Sequence, residues 1–130
     1  MMATTLHEAA EIGDLVAVRR LLAGGADLEE PGERGATPLH WAAAWGQAEV
    51  VKVLVELGAG MEAKTDYGAT PMHLAAFNGH AEAMCELVQL GADIDARDNA
   101  GDTPIEVSLR TVHHVAVGTM VYNPRCRKYV

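Results

Sequence analysis

Between Ala48 and Leu57 the apolar residues Val50, Val51, Leu54, Val55 and Leu57 follow the i, i+3, i+4, i+7 spacing of an amphipathic helix. Just before it, Leu39, Ala42 and Ala43 fall on one face of a shorter helix that Thr37 and Pro38 start and Gly46 stops. Thr37 suits the N-cap because its hydroxyl accepts a bond from a backbone N–H that has no partner within the helix. Pro38 loses nothing at the first helical position, where its missing N–H is not needed. Gly58 stands where a left-handed residue ends the second helix. The polar stretch "GMEAKTDYG" then carries the chain onward.

The same pattern returns. "GATPLHWAAAWG" at 35–46 recurs as "GATPMHLAAFNG" at 68–79, and segments 35–67 and 68–100 are identical at nearly half of their positions. Thr37, Thr70 and Thr103 are evenly spaced, and one step further back lies Thr4, where Leu6, His7, Ala9, Ala10 and Gly13 keep the pattern without the proline. The chain therefore reads as one domain, 1–130, of four units at about 4–36, 37–69, 70–102 and 103–124, with a basic tail over 124–130. Predicted helices lie near 6–12, 15–23, 38–45, 48–57, 71–78, 81–90, 104–111 and 113–122. Helices this short are marginal alone in water, so each pair must bury its apolar face against its neighbours. Stacking at a fixed step gives a one-dimensional solenoid in which each unit touches only the adjacent ones.

Thr37-Pro38-Leu39-His40, Ala42-Ala43, Gly46 and Leu57-Gly58-Ala59, with their counterparts one unit later, closely resemble the ankyrin repeat. The resemblance covers residues 4–106 strongly and 107–130 only in register. It implies an all-α fold, an ankyrin-repeat solenoid of stacked helix pairs joined by β-hairpin-like loops. First helices and loops would form a concave face, and second helices a convex back. It also implies that His7, His40 and His73 tie each helix start to a neighbouring loop. The first unit would be the N-terminal cap, with Glu11, Asp14, Arg19 and Arg20 on its outer face.

Composition narrows the function. Apolar residues make up 49% of 130, mostly small ones, with one Phe and two Trp, which suits close helix stacking. No run of about 18 apolar residues could span a membrane, and "MMATTLHEAAEIGD" lacks the basic and apolar regions of a secretory signal. Net charge is −8, made of −12 over residues 1–109 and +4 over 110–130. An acidic body repels phosphate backbones and argues against nucleic acid as a partner. Two cysteines, Cys85 and Cys126, make no disulfide framework and point to a reducing compartment, cytoplasmic or nuclear. Cys85 holds the repeat position of Arg19 and Lys52, so it is expected as a free thiol on the exposed convex surface.

No catalytic constellation emerges, and no cofactor is expected: there is no Gly-x-Ser-x-Gly, no phosphate-binding loop and no dinucleotide fingerprint. Equivalent histidines in neighbouring units stand roughly 10 Å apart, the spacing of packed helices, whereas metal ligands must lie within about 2–2.6 Å of the ion. In the fourth unit Glu106 replaces histidine and makes Thr103-x-x-Glu106 a capping box. A metal site built from His80, His113, His114 and Cys126 is the less favoured alternative, because the spacing offers no C-x-x-C or H-x-x-x-H pair.

Variable positions on the expected concave face carry the candidate binding residues: Glu33 and Arg34, Trp45, Asp66 and Tyr67, Phe77 and Asn78, Asn99, Asp102 and Arg110. Trp45, Tyr67 and Phe77 are three of the chain's six aromatics, and aromatic residues are over-represented among interface hot spots. Trp41, where Leu74 stands one unit later, is expected in the core between units. Glu33, Asp66 and Asp102 are expected to steer a partner with a basic patch. The expected function is a non-catalytic protein-interaction module, an adaptor or a small regulator or inhibitor. A structural segment of a longer array is the second reading. The fourth unit departs from the pattern, with Gly118 inside its second helix and Pro124 at the C-cap position. Its apolar Val117 and Val121 call for cover by the tail, by another chain or by further repeats. A monomer is expected, with the apolar C-terminal end open to self-association.

Overall fold

A computed structural model of the chain describes residues 5–111. Seven α-helices follow one another in this span: α1 (Leu6–Ile12), α2 (Leu15–Ala23), α3 (Pro38–Ala44), α4 (Ala48–Glu56), α5 (Pro71–Phe77), α6 (Ala81–Leu90) and α7 (Pro104–Arg110). A single 3-10 turn covers Glu33–Gly35, and no strand occurs among the described residues. The helix predicted near 113–122, with Val117, Gly118, Val121 and Pro124, lies outside the described residues, as do His113, His114 and Cys126.

The first helices α1, α3, α5 and α7 pack in sequence on one another, and α2, α4 and α6 form the second layer. Close packing of the first layer rests on alanine: Ala9, Ala10, Ala42, Ala43, Ala75 and Ala76 have no exposed surface. The second layer supplies bulk, with Val18, Val50, Val51, Leu54, Met84 and Leu87 buried between the layers. Val53 is buried and Leu57 is exposed, the reverse of the amphipathic reading of α4. Stacking on both neighbours widens the buried stripe at mid-helix. Leu57, by contrast, lies past the last helical turn, where nothing covers it.

Each helix start uses the expected cap. Thr37, Thr70 and Thr103 accept bonds from the N–H groups of His40, His73 and Glu106, with proline at the next position. In the first unit the cap is Thr5, one residue past the register position Thr4, and its side chain accepts from the Glu8 N–H. Without a proline to fix φ at the first helical position, the helix begins one residue later. Asp14, expected on the solvent face, caps α2 by accepting from the Ala17 N–H.

Loops join the units edge to edge. The Asp66 N–H donates to the Arg34 carbonyl at 2.9 Å and the Asn99 N–H to the Tyr67 carbonyl at 3.0 Å. Gly68, at φ +75°, is required here, since a Cβ would stand 2.8 Å from the Asn99 backbone nitrogen. Glu29 and Glu62, at equivalent places in successive units, accept from the N–H groups of Gly60 and Asp93 in the following unit, at 2.8 and 2.9 Å.

Candidate functional site

The recurring histidines are structural. His40 is fully buried; its Nδ1 accepts from the Thr37 N–H at 3.0 Å, which leaves the proton on Nε2 to donate to the Ala69 carbonyl at 2.9 Å. His73 repeats this with Thr70 at 3.1 Å and Asp102 at 2.8 Å. Each imidazole thus caps its own helix and clasps the start of the next unit. His7 differs, because its Nε2 bonds the carbonyl of Glu30 within the first loop. Among the described residues no group of His, Cys, Asp and Glu could hold a metal. His80, named in the metal alternative, instead packs its ring against Gly46: a Cβ there would lie 2.6 Å from Nδ1.

Burial holds the His40 pKa below its ordinary value near 6.5, with hydrogen bonds to the Ala69 and Ala63 backbone opposing the shift. In the unfolded chain the imidazole takes its proton near pH 6.5, and in the fold only at lower pH. The stability contributed by neutral His40 is therefore complete above pH 6.5 and is lost as pH falls through that value towards the lowered folded one. We expect the urea midpoint to drop between about pH 7.5 and 5.5, and to drop less in His40→Gln, which removes the titrating group. An equal drop in both proteins would move the effect to other groups.

The concave side holds an open hollow of about 590 Å³ between the loop tips and α3 and α5. Trp41, Ala44, Leu74 and Phe77 line its helix side, and Arg34 and Tyr67 its loop side. The Arg34 guanidinium lies 5.6 Å from the Tyr67 ring centroid and hydrogen-bonds the Tyr67 hydroxyl. The two side chains, from successive loop tips, form one rim of the hollow. Arg34 sits at φ +57°, the one described non-glycine residue in the left-handed region, and so turns the loop tip towards Tyr67.

The hollow brings together four of the residues chosen from the sequence: Glu33, Arg34, Tyr67 and Phe77. Trp45, Tyr67 and Phe77 are 53%, 59% and 57% exposed, well above what packed aromatics show. Trp45 stands outside the hollow, beyond the end of α3. Asp66 is an exposed loop-tip residue. Asn78 and Asn99 spend their side-chain amides internally, on the carbonyls of Leu74 and Asp66. Asp102 is 6% exposed and its carboxylate pairs with Arg110 at 2.8 Å, so neither residue is a free charge for steering. Its position explains this: the Asp102 carbonyl is what His73 binds, which draws the residue under the helix start.

Sequence reasoning misses Trp41 as a site residue. It is half-buried, packs against the core with one part and lines the hollow with another. Its Nε1 is buried without an acceptor among the described residues. The signal lies in its difference from Leu74: an indole exceeds the volume of the leucine site and must extend into the groove.

Helix pairs stacked one on the next, with a groove between first helices and loop tips, define a helical repeat solenoid. The family model for ankyrin repeats matches three copies over residues 6–98. The chain belongs to the ankyrin-repeat family, whose repeats generally serve as protein-interaction modules. The fourth helix start at Thr103-Pro104 lies beyond the matched span and keeps the same cap. A search of curated proteins gave no match.

Proposed function

We propose that this protein is a non-catalytic interaction module that holds a protein partner in its concave groove, as an adaptor or as a small regulator or inhibitor of that partner. One observation carries the reading: the apolar hollow between Trp41, Leu74 and Phe77 on one side and the Arg34–Tyr67 rim on the other. A surface that exposes large apolar side chains around a ready-made depression gains by covering them. The occupant is a bulky apolar side chain of the partner, and basic neighbours on the partner meet Glu33 and Asp66 at the loop tips. The charge of −12 over residues 1–109 favours such a partner through steering. The module acts as a monomer, in the cytoplasm or nucleus.

The convex back offers charged, flexible side chains such as Glu49 and Lys52, types depleted in interface cores. Affinity for a captured partner is therefore expected to fall by about 1–2 kcal/mol in Tyr67→Ala, in Phe77→Ala and in Trp45→Ala. Glu49→Ala and Lys52→Ala should leave it unchanged. Titration calorimetry with each purified variant checks this. A partner whose affinity ignores Tyr67 and Phe77 but collapses with the convex variants would reverse the assignment.

A further inference from the structure

The exposed apolar residues of the concave side form a row. Ile12 ends α1, Trp45 follows α3 and Phe77 ends α5, and each is more than half exposed. Since α1, α3 and α5 pack on one another in sequence, neighbouring members of the row stand one helix-packing step apart, about 8–10 Å. Glu33 and Asp66 repeat at the same step along the loop tips, because they hold one register position in successive units. Both are exposed. The convex back has no such row. Val16 is followed in register by Glu49 and Glu82, and Arg19 by Lys52 and Cys85. Cys85, expected there as an exposed free thiol, is 1% exposed and disulfide-bonded.

With the concave groove as the binding face proposed above, we infer that the partner enters it as an amphipathic α-helix, with apolar residues every seven positions and a basic flank turned to the loop tips. Seven residues of helix advance about 10.5 Å, and a straight helix drifts only about 20° over that length. Its apolar side chains at i, i+7 and i+14 therefore stay on one face and meet Ile12, Trp45 and Phe77 in turn. The one beside Phe77 enters the hollow between Trp41, Leu74 and the Arg34–Tyr67 rim. Lysines or arginines seven apart on the flank meet Glu33 and Asp66. The neighbouring Arg34 guanidinium is already engaged on the ring and hydroxyl of Tyr67.

Other peptide conformations fit less well. In a β-strand the side chains of one face lie about 6.5–7 Å apart, or twice that, and neither matches the step. A polyproline II segment brings every third side chain to the same side at about 9 Å, which does match. Its backbone, however, has no internal hydrogen bonds, and each N–H or C=O pressed onto the groove needs a partner. The polar groups around the groove are largely committed. Asn78 and Asn99 bond the carbonyls of Leu74 and Asp66, His40 and His73 those of Ala69 and Asp102, and Arg110 the Asp102 carboxylate. The Tyr67 hydroxyl accepts from Arg34, and the Trp41 Nε1 is buried. A helix brings its backbone bonds with it and asks only for apolar cover.

The full chain is immobilised, and phage-displayed random peptides of about 20 residues, three heptads in length, are selected on it. Selected peptides are synthesised and titrated by calorimetry against the wild type and its variants. The expected set carries Leu, Ile, Met or Phe at i, i+7 and i+14, has an excess of Lys and Arg, and gains helical circular dichroism when bound. Ile12→Ala, Trp45→Ala and Phe77→Ala, all at exposed positions, should each weaken binding by about five- to tenfold. A proline placed at the centre of the peptide should weaken it by more than about tenfold. Peptides that need Trp45 and Phe77 but carry proline at every third residue, or tolerate the central proline, would overturn the helix and leave the groove as the binding face. Dependence on Phe77 without dependence on Ile12 would overturn the three-point register. A selection that returns only peptides indifferent to Trp45 and Phe77, or none, would overturn the groove as the binding face and the helix with it.

Discussion

Replacing His40 with alanine is expected to lower the unfolding free energy by about 2–4 kcal/mol, the combined loss of two buried hydrogen bonds and their packing. The side chain satisfies the Thr37 N–H at 3.0 Å and the Ala69 carbonyl at 2.9 Å, both at buried positions. Removing the ring leaves a donor and an acceptor unpaired, each costing about 1–3 kcal/mol when water cannot reach it. It also empties a fully buried volume between two units. Urea denaturation, read at the midpoint with the slope held constant, measures the loss. His7→Ala is the natural control: its bond to the Glu30 carbonyl is exposed, so the same substitution should cost less than about 1 kcal/mol. Equal losses at the two sites would mean that burial does not set the strength of the clasp.

Enlarging Ala76 to leucine should destabilise by about 2–3 kcal/mol, the upper part of the range for overpacking. Ala76 has no exposed surface, in the layer where α5 packs against α3 and α7. The repeat itself contains the comparison. Positions 10, 43 and 76 carry buried alanine, while position 109, in the same register, carries leucine and is 61% exposed. A leucine fits the position where it faces outward and not where another helix lies across it. Leu109→Ala should accordingly change the denaturation midpoint little, and an unchanged midpoint in Ala76→Leu would mean that the first layer has room the packing does not show.

Most of this architecture is legible in the sequence because the repeat states each local rule several times. Three Thr-Pro pairs in register place α3, α5 and α7 to within a residue, and Gly46 and Gly79 fix the ends of α3 and α5. At Thr5, where no proline follows, the cap lies one residue past the register of the other units, and the helix still runs over 6–12 as the pattern predicts. The groove's aromatics are legible because Tyr67 and Phe77 fall at variable repeat positions, where other units carry Arg34 and Ala100, and Glu11, Ala44 and Arg110. Asp102 is not, since an acidic residue in a loop looks the same whether it faces solvent or bends inward to lend its carbonyl to His73. Trp41 takes its reading from a leucine counterpart, which discounts the excess volume that reaches the hollow. Cys85 fails for the same reason in reverse: register transfers the exposure of Lys52 only where both helices have the same neighbours.

The histidine clasp gives the solenoid a direction. His40 needs the carbonyl of Ala69, the residue just before the third unit's Thr70 cap, and His73 that of Asp102, just before the Thr103 cap of the fourth. Each of these helix starts is therefore complete only when the junction to its successor is in place, and loss of order there is passed back towards the N-terminus. Glu106 breaks that dependence. Its carboxylate accepts from both the backbone N–H and the hydroxyl of Thr103, at 3.2 and 3.0 Å, both within its own helix start. The relay that runs through units two and three ends in a helix start whose cap is local. Substituting one side chain for another at a single repeat position thereby sets how far along the chain unfolding is shared.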